Sequence, residues 1–275
     1  MTKSVIVLRE PRMWTWRISD AFHAGFRKLG WDVKIVDGMP PSGADLYAGY
    51  GWGQPMQAAY QRHPEKLLHV DLAFWGRGDP YYKMAWNGRW TPLADRDFDG
   101  ARMAKHRIKV KPARKPGRRV LVCGMSAKAA KDWGLEPEQW EKAAIAALRA
   151  AGASEVIYRA KPSWYEAKRL PGAEFDYRHK PIEETLERVD GVVSHHSNAS
   201  VDALVAGLPI YTEMGLARSL SVAKLEDVIG AETPDLESRQ RFLRQVAWHQ
   251  WSLPEIAAAK YLEPPAPVSD YISID

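Results

Sequence analysis

The residues best suited to chemistry form one continuous stretch, residues 190–210. In it a short apolar strand runs into a turn of small polar residues, and the helix predicted after the turn begins with Ser197, Asn198 and Ser200. Their side chains, together with the free backbone N–H groups of a helix start, suit a phosphate. Asp202 falls in the first turn, where a carboxylate can accept hydrogen bonds from a ribose or sugar diol. The alternative is a helix cap that satisfies only its own backbone.

Two adjacent histidines, His195 and His196, stand where this strand meets the turn. On an extended strand neighbouring side chains point to opposite faces, so only one of the two is expected to meet a ligand, and we assign that role to His196. Neither histidine has a metal-binding spacing, and no metal ligand is predicted. The acidic run at 95–99 follows no apolar strand and is predicted to be a surface loop. A requirement for a divalent metal stays open.

A possible catalytic base lies in the first half of the chain. Asp71 ends the apolar run 67–72, and a carboxylate at a strand end can take a proton from an attacking hydroxyl group. Glu10 and Asp79, both in predicted loops, are the alternatives. Capping of the following loop is the structural interpretation of Asp71.

Alternating strands and helices must hold these residues in place. Strands are predicted in the first half at 5–8, 31–36, 44–50 and 67–72, with helices at 18–29 and 55–62. Residues 73–100 are aromatic and glycine-rich and are predicted to be loops. Strands are predicted in the second half at 120–123, 156–158, 191–194 and 209–211, with helices at 138–151, 182–188 and 199–206. This alternation predicts parallel sheets covered by helices on both faces.

The fold class that follows is α/β, with two doubly wound, Rossmann-like domains that face a cleft. At 275 residues the chain is long enough for two cores. We predict a first domain at 1–115 and a second at 116–239, with the helical segment 240–275 packing back on the first. Ligands of such sheets bind at the carboxyl ends of the strands.

Composition narrows the class of protein further. Charged residues make up 27% and hydrophobic residues 45% of the chain, which is typical of a globular protein. A single cysteine, Cys123, excludes an intramolecular disulfide and a cysteine-cluster zinc site. No apolar run is long enough to span a bilayer or to form a signal peptide, so a cytoplasmic location is expected.

The positive charge is concentrated in one segment. Residues 102–119 hold nine lysines or arginines and no acid, whereas the whole chain has a formal net charge of +5. Such a segment can bind a polyphosphate or an anionic surface, or it can be a basic interdomain linker.

Tryptophan and arginine are frequent in the loops of the first half. Aromatic rings stack on sugars and on exposed bases alike, so they do not distinguish the two classes of acceptor. The basic segment favours a nucleic acid, because phosphate contacts dominate nucleic-acid affinity. The residues predicted to contact double-stranded DNA are Arg12, Trp52, Trp75, Arg77, Arg114, Lys115, Arg118 and Arg119.

The stretch 190–210 resembles the donor-site signature of GT-B glycosyltransferases, especially the capsule-polysaccharide transferases. Their pattern has a serine pair, then Glu-Ala-Leu and Gly-Lys-Pro-Val; here Asp202 replaces the Glu and Leu208 the Lys. Arg159 and Lys161 lie in a segment that resembles the Arg-Pro-His-Pro of those enzymes. The resemblance implies a nucleotide-sugar donor, with a UDP-sugar expected. It also implies a diphosphate held by Arg159 and Lys161 and a donor loop at Gly124–Ser126. The residues implied to hold the nucleotide sugar are His196, Ser197, Asn198, Ser200 and Asp202.

A second resemblance concerns the acceptor. Residues 50–53 and 70–75 resemble stretches of phage-encoded proteins, and transferases that glycosylate hydroxymethylated bases of viral DNA have the GT-B fold. The expected acceptor is therefore a hydroxymethylated base, flipped out of the duplex. The alternatives are a capsule or lipopolysaccharide glycosyltransferase and a nucleic-acid-binding protein without catalytic activity.

Overall fold

The computed structural model of the protein describes residues 2–76, 80–88, 98–176 and 180–262. The chain forms two compact units. Unit 1 comprises residues 1–106 and 244–275, and unit 2 comprises residues 107–243. The predicted α/β class is confirmed, since both units contain a β-sheet and helices.

Unit 1 is built on a mixed sheet in the order β11-β5-β4-β3-β1-β2. Its strands are β1 Ser4–Arg9, β2 Asp32–Asp37, β3 Leu46–Tyr50, β4 Leu67–Leu72, β5 Tyr81–Trp86 and β11 Gln250–Ser252. Its helices are α1 Met13–Lys28, α2 Gln54–Arg62, α3 Ala101–Lys105 and α9 Leu253–Ala257. The first four strands are parallel, whereas β5 and β11 run antiparallel to their neighbours.

Unit 2 is built on a fully parallel sheet in the order β10-β9-β6-β7-β8. Its strands are β6 Arg119–Cys123, β7 Glu155–Arg159, β8 Glu174–Asp176, β9 Gly191–Ser194 and β10 Ile210–Thr212. Its helices are α4 Ala127–Asp132, α5 Gln139–Ala150, α6 Ile182–Leu186 and α7 Ala199–Val205. Helix α8, Leu236–Trp248, contains the boundary between the two units, which falls after Leu243.

The helical periodicities identified in the sequence do place apolar faces in the cores. In α1 the side chains of Ile18, Phe22 and Phe26 are buried at helical spacing. Gly25 belongs to the same face, and a Cβ atom there would lie 2.4 Å from the carbonyl oxygen of Ile256. A larger residue would therefore push α9 away from α1.

Two predictions for unit 1 are wrong. Residues 81–86 were expected to be loop, but they form β5, which pairs with β4 on one side and with β11 on the other. The segment 240–275 was expected to be helical, but it contains β11. Antiparallel strands escape a search for strand–helix alternation, because no crossover helix accompanies them. Residues 89–97, with the acidic run 95–97, and the tail 263–275 lie outside the described residues.

Candidate functional site

Unit 2 has a topological switch point at its two central strands. From β6 the chain continues outward on one side to β7 and β8, and on the other side to β9 and β10. Because β6 and β9 pair with Cys123 opposite Ser194, the loops after these two strands leave the same edge of the sheet side by side. Open parallel sheets bind ligands at such a point, outside the carboxyl ends of the strands.

The loop after β6, which begins at Gly124, packs closely against Tyr158 and Glu141. At Gly124 a Cβ atom would lie 2.8 Å from the Tyr158 ring and 3.3 Å from Glu141 Oε1, so only glycine fits without displacing a neighbour. The backbone N–H of Met125 donates a 2.6 Å hydrogen bond to the same Glu141 oxygen. Ser126 then caps α4, its hydroxyl accepting a hydrogen bond from the N–H of Ala129.

Glu141 and Tyr158 form a polar pair beneath this loop. Both side chains are fully buried, and Glu141 Oε2 and the Tyr158 hydroxyl have no hydrogen-bond partner among the residues that the structure describes. Burial raises the pKa of the Glu141 carboxyl group, and backbone hydrogen bonds from Met125 and from Glu141 itself partly oppose that rise. The folded chain therefore favours the neutral acid more than the unfolded chain does.

The turn after β9 is held by a buried hydroxyl network. Ser194 Oγ lies 2.9 Å from Ser200 Oγ and donates to Thr212 Oγ1 at 3.2 Å. Ser200 is only 1% exposed, so its predicted contact with a nucleotide sugar is not available at the surface of the unit. Ser197 and Asn198 are half-buried beside it.

The prediction of free N–H groups at the start of α7 is wrong for most of the turn. The N–H of Ser197 donates to Ser194 Oγ and that of Ala199 to Ser197 Oγ. Those of Ser200 and Val201 donate to the carbonyl oxygens of residues 197 and 198. The polar side chains of the turn therefore form hydrogen bonds with the backbone of their own short helix, as expected for the alternative of a helix cap.

The two histidines do not point to opposite faces, which corrects the expectation from strand geometry. Strand β9 ends at Ser194, so His195 and His196 follow the geometry of a turn. Their Nδ1 atoms are 2.9 Å apart and the rings cross at 88°. His195 is buried, whereas His196 is half-buried.

Two tryptophans and a glutamate complete this end of unit 2, and the sequence-based prediction missed all three. Trp133 lies 5.2 Å from the His195 ring and 6.0 Å from the His196 ring, and Trp140 lies 5.8 Å from His195. The indole N–H of Trp140 donates a 2.6 Å hydrogen bond to Glu213. Glu213 directly follows β10, the same strand-end signal that selected Asp71, and could have been found by it.

The residues predicted to hold a diphosphate differ in their surroundings. Arg159 ends β7 and is 7% exposed. Its guanidinium donates to Asp176 at 2.5 Å, to the Thr185 hydroxyl at 3.3 Å and to the carbonyl oxygen of Lys180. These contacts tie β7 to β8 and α6, so Arg159 has a structural role. Lys161, two residues further on, is exposed.

The carboxyl edge of unit 1 carries two of the three predicted base candidates. Glu10 follows β1, and its carboxylate packs against Gly51 and Gly53. A Cβ atom added to either glycine would lie 3.0 or 2.9 Å, respectively, from Glu10 Oε1. Asp71 lies near the end of β4, and its Oδ1 accepts the N–H of Leu72 at 2.7 Å. Burial raises the pKa of Tyr50 at the end of β3, and the charges of Asp71 and Glu10 raise it further. The two carboxylates therefore lie on either side of Tyr50, and Glu10 occupies the switch point between β1 and β3.

The aromatic residues predicted to bind DNA pack largely on their own unit. Trp52 lies 5.3 Å from both the Tyr60 and His69 rings. The N–H of Trp75 donates to the side chain of Gln250, which also accepts the N–H of Phe74. Arg12 is exposed just before α1. Arg77 and the base candidate Asp79 lie outside the described residues.

Three arginines of the basic segment bind acceptors within unit 2. Arg114 donates to the carbonyl oxygens of Leu186, Glu187 and Val189 and to the Glu187 carboxylate. Arg118 donates to the carbonyl oxygen of Gly152, and Arg119 forms a bidentate pair with Asp190. Lys115 is exposed and has no hydrogen-bond or ion-pair partner in the described part of the chain. The segment thus holds a strand and two helix ends together.

Two searches of the described residues gave no site. Outside the gaps at 77–79, 89–97 and 177–179 and the two termini, no group of three or more His, Cys, Asp or Glu side chains could hold a metal ion. In the same part of the chain, no helix combines the length and apolar character needed to cross a bilayer.

These features define an α/β protein whose second unit is a Rossmann-like parallel sheet with its candidate ligand site at the switch point. No protein-family model and no curated protein matches the sequence. Two solved structures from Thermosulfurimonas dismutans are similar to the chain. KpsC, β-Kdo 2,4 transferase, has a TM-score of 0.57 and 12% identity, covering 92% of each chain. KpsC, β-Kdo 2,7 transferase, has a TM-score of 0.56 and 13% identity, covering 94% of this chain and 99% of its own. The likeness shows a shared fold over nearly the whole length.

Proposed function

We propose that the protein is a glycosyltransferase that moves a sugar from a nucleotide-sugar donor to a hydroxyl group of a capsule-type glycan. The observation that carries the proposal is the switch point of unit 2, where the glycine loop of β6 and the His196–Asp202 turn of β9 lie side by side. In agreement with this, two solved structures that share the fold are Kdo transferases.

The donor is assigned to the carboxyl edge of unit 2. His196, Asn198 and Asp202 are half-exposed there, with Lys161 exposed at the end of β7. A cation and an imidazole suit a phosphate, and a carboxylate suits a sugar or ribose diol. Arg159 and Ser200 have a structural role in this site, because Arg159 is hydrogen-bonded to Asp176 and Ser200 to Ser194.

The acceptor is assigned to the carboxyl edge of unit 1, with Glu10 as the base. Its carboxylate has no hydrogen-bond partner among the residues that the structure describes, whereas Asp71 already accepts a backbone N–H. Trp14 is 43% exposed, 4.9 Å from Tyr50, and offers an aromatic surface for a sugar ring.

DNA is placed second as an acceptor. A phosphate track needs free cations, and the structure engages Arg114, Arg118 and Arg119 with carbonyl and carboxylate oxygens. The Kdo-transferring structures favour a glycan instead.

The proposal is tested by a matrix of donors and acceptors. UDP-hexoses and a nucleotide-activated Kdo would be combined with Kdo-terminated oligosaccharides and with hydroxymethylated duplex DNA, and the products analysed by mass spectrometry. Transfer to an oligosaccharide is expected. Transfer to DNA alone would replace the glycan acceptor, and the absence of both donor hydrolysis and transfer across the matrix would overturn the assignment as a glycosyltransferase.

A further inference from the structure

The pair His195–His196 has a feature that nucleotide binding alone does not require. The same nitrogen, Nδ1, of each ring faces the other at 2.9 Å. Trp133 contacts both rings, and the Trp140 ring lies 5.8 Å from that of His195. The two imidazoles are thus held in register by the fold, rather than meeting by chance on a surface.

The hydrogen bond sets the number of protons that the pair can hold. A neutral imidazole has one N–H and one bare nitrogen, so a bond between two Nδ1 atoms needs a proton on one of them and none on the other. One added proton is compatible with this bond, since an imidazolium donates to its neutral partner. A second added proton places N–H groups on both Nδ1 atoms and breaks the bond. The pair therefore takes up one proton readily and resists the next.

The surroundings decide which ring carries the charge. His195 is 5% exposed, and burial lowers its pKa, while the nearby Glu213 carboxylate partly offsets that effect. His196 is half-exposed at the edge of the sheet. The other charged residues of the packed elements are Lys128, Lys131 and Asp132 in α4, Glu141, Lys142 and Arg149 in α5, and Asp202 in α7. The imidazolium is thus expected on His196, with neutral His195 accepting its Nδ1–H.

We propose that His195 and His196 share one proton, that His196 gives a proton to the departing phosphate of the donor, and that His195 is the residue that positions it. This inference rests on the proposed function. As the bond from the sugar carbon to the phosphate oxygen breaks, its electron pair stays on that oxygen, which takes a proton from His196 Nε2. The acceptor oxygen forms the new bond to carbon and passes its proton to a base. His196 regains its proton from solvent.

The shared proton is tested without any substrate. Nitrogen-15 NMR of the imidazole rings in the full chain would follow both histidines from pH 4 to 9, with His195→Phe as the variant and exposed His23→Asn as the control. We expect two uptake steps separated by more than about one pH unit, the threshold for coupled groups, and a single ordinary step for His196 in His195→Phe. Two independent steps in the parent protein would overturn the pair.

The catalytic part is tested on donor hydrolysis and transfer. His196→Gln is expected to lower kcat by about 100-fold or more, the contribution of a general acid. His195→Phe is expected to shift the pH profile of kcat while the donor KM stays within about twofold, because it alters proton placement and not the phosphate contact. An unchanged pH profile in a folded His195→Phe protein would overturn the positioning role. If the parent turns over no donor, the role toward phosphate fails with the proposed function, and the NMR titration still decides on the pair.

Discussion

The two carboxyl oxygens of Glu141 differ in their hydrogen bonding. One accepts the N–H of Met125 at 2.6 Å, and the other is buried and has no hydrogen-bond partner in the described part of the chain. We expect Glu141→Gln to stabilise the protein at pH 7 by about 1–3 kcal/mol, the cost of a buried unsatisfied polar atom, because the amide keeps the acceptor and can donate to Tyr158. Urea denaturation of both proteins measures this difference.

The same substitution predicts a pH dependence. The folded-state pKa of Glu141 is raised, so the stability that this group contributes is full below its unfolded pKa of about 4.3 and is lost as the pH rises through the raised value. Glu141→Gln should remove this loss, whereas Glu136→Gln, at an exposed site, should leave it. Parallel stability curves for the parent and Glu141→Gln between pH 4 and 8 would contradict the expectation.

Glu10 and Asp71 are distinguished by their effect on turnover. Glu10→Gln should lower kcat by about 100-fold or more with donor binding intact, as expected for loss of a general base. Asp71→Asn should have a smaller effect, because its carboxylate already holds the N–H of Leu72. Exposed Glu65→Gln is the control. Steady-state kinetics decide, and wild-type turnover in Glu10→Gln together with a loss in Asp71→Asn would pass the role to Asp71.

Asp202 is the residue on which the donor assignment depends most. It is half-exposed in the first turn of α7, where its carboxylate can accept hydrogen bonds from a sugar or ribose diol. Asp202→Asn should weaken nucleotide-sugar binding by about 1–3 kcal/mol by calorimetry. Exposed Glu226→Gln is the control. Equal affinities of the two variants for the nucleotide sugar would show that Asp202 does not bind the diol.

At the scale of elements, Gly207 joins α7 to the basic segment. It ends the helix at φ +78°, and a Cβ atom would lie 2.0 Å from the carbonyl oxygen of Pro112. Gly230 has a similar φ of +73° with open space around it. Gly230→Ala should therefore cost only the left-handed strain of about 1–2 kcal/mol, and Gly207→Ala clearly more. Thermal unfolding of the two variants compares them, and equal losses would show that the close approach has no energetic weight.

The elements also show how far the sequence could predict the structure. Four strands and three helices of unit 2 follow from apolar runs closed by glycine or small polar residues, whereas β8 and α4 were not predicted. The placement of Gly124 and His196 at one edge follows from parallel topology. The contact between His195 and His196 could not be predicted, because it depends on the residue at which β9 ends. Strand β11 pairs with residues about 170 positions earlier, and no local pattern encodes such a partner. The engagement of Arg159 with Asp176 likewise depends on where β8 lies.

For the molecule as a whole, three arginines of the basic segment, Arg114, Arg118 and Arg119, bind carbonyl and carboxylate oxygens of the protein itself. Arg114→Ala should destabilise the protein by about 2 kcal/mol or more, because it leaves the carbonyl groups of Leu186 and Val189 without this donor and the Glu187 carboxylate with Lys111 alone. Lys115→Ala, at the neighbouring exposed position, should change stability by less than about 0.5 kcal/mol. Chemical denaturation measures both. Equal stabilities, accompanied by weaker salt-dependent DNA binding in Arg114→Ala, would restore a role in binding phosphates.

The return of the chain to unit 1 has a consequence for its synthesis. The core of unit 1 includes Trp251, Ile256 and Tyr261, and its sheet is completed only by β11. Unit 2, in contrast, is one continuous stretch, residues 107–243. Domains usually fold in the order in which they leave the ribosome. Here the unit that begins first must wait, with the parallel strands β1–β4 incomplete, until unit 2 has been made. Nascent chains stalled before residue 250 should therefore contain a protease-resistant unit 2 and a sensitive unit 1.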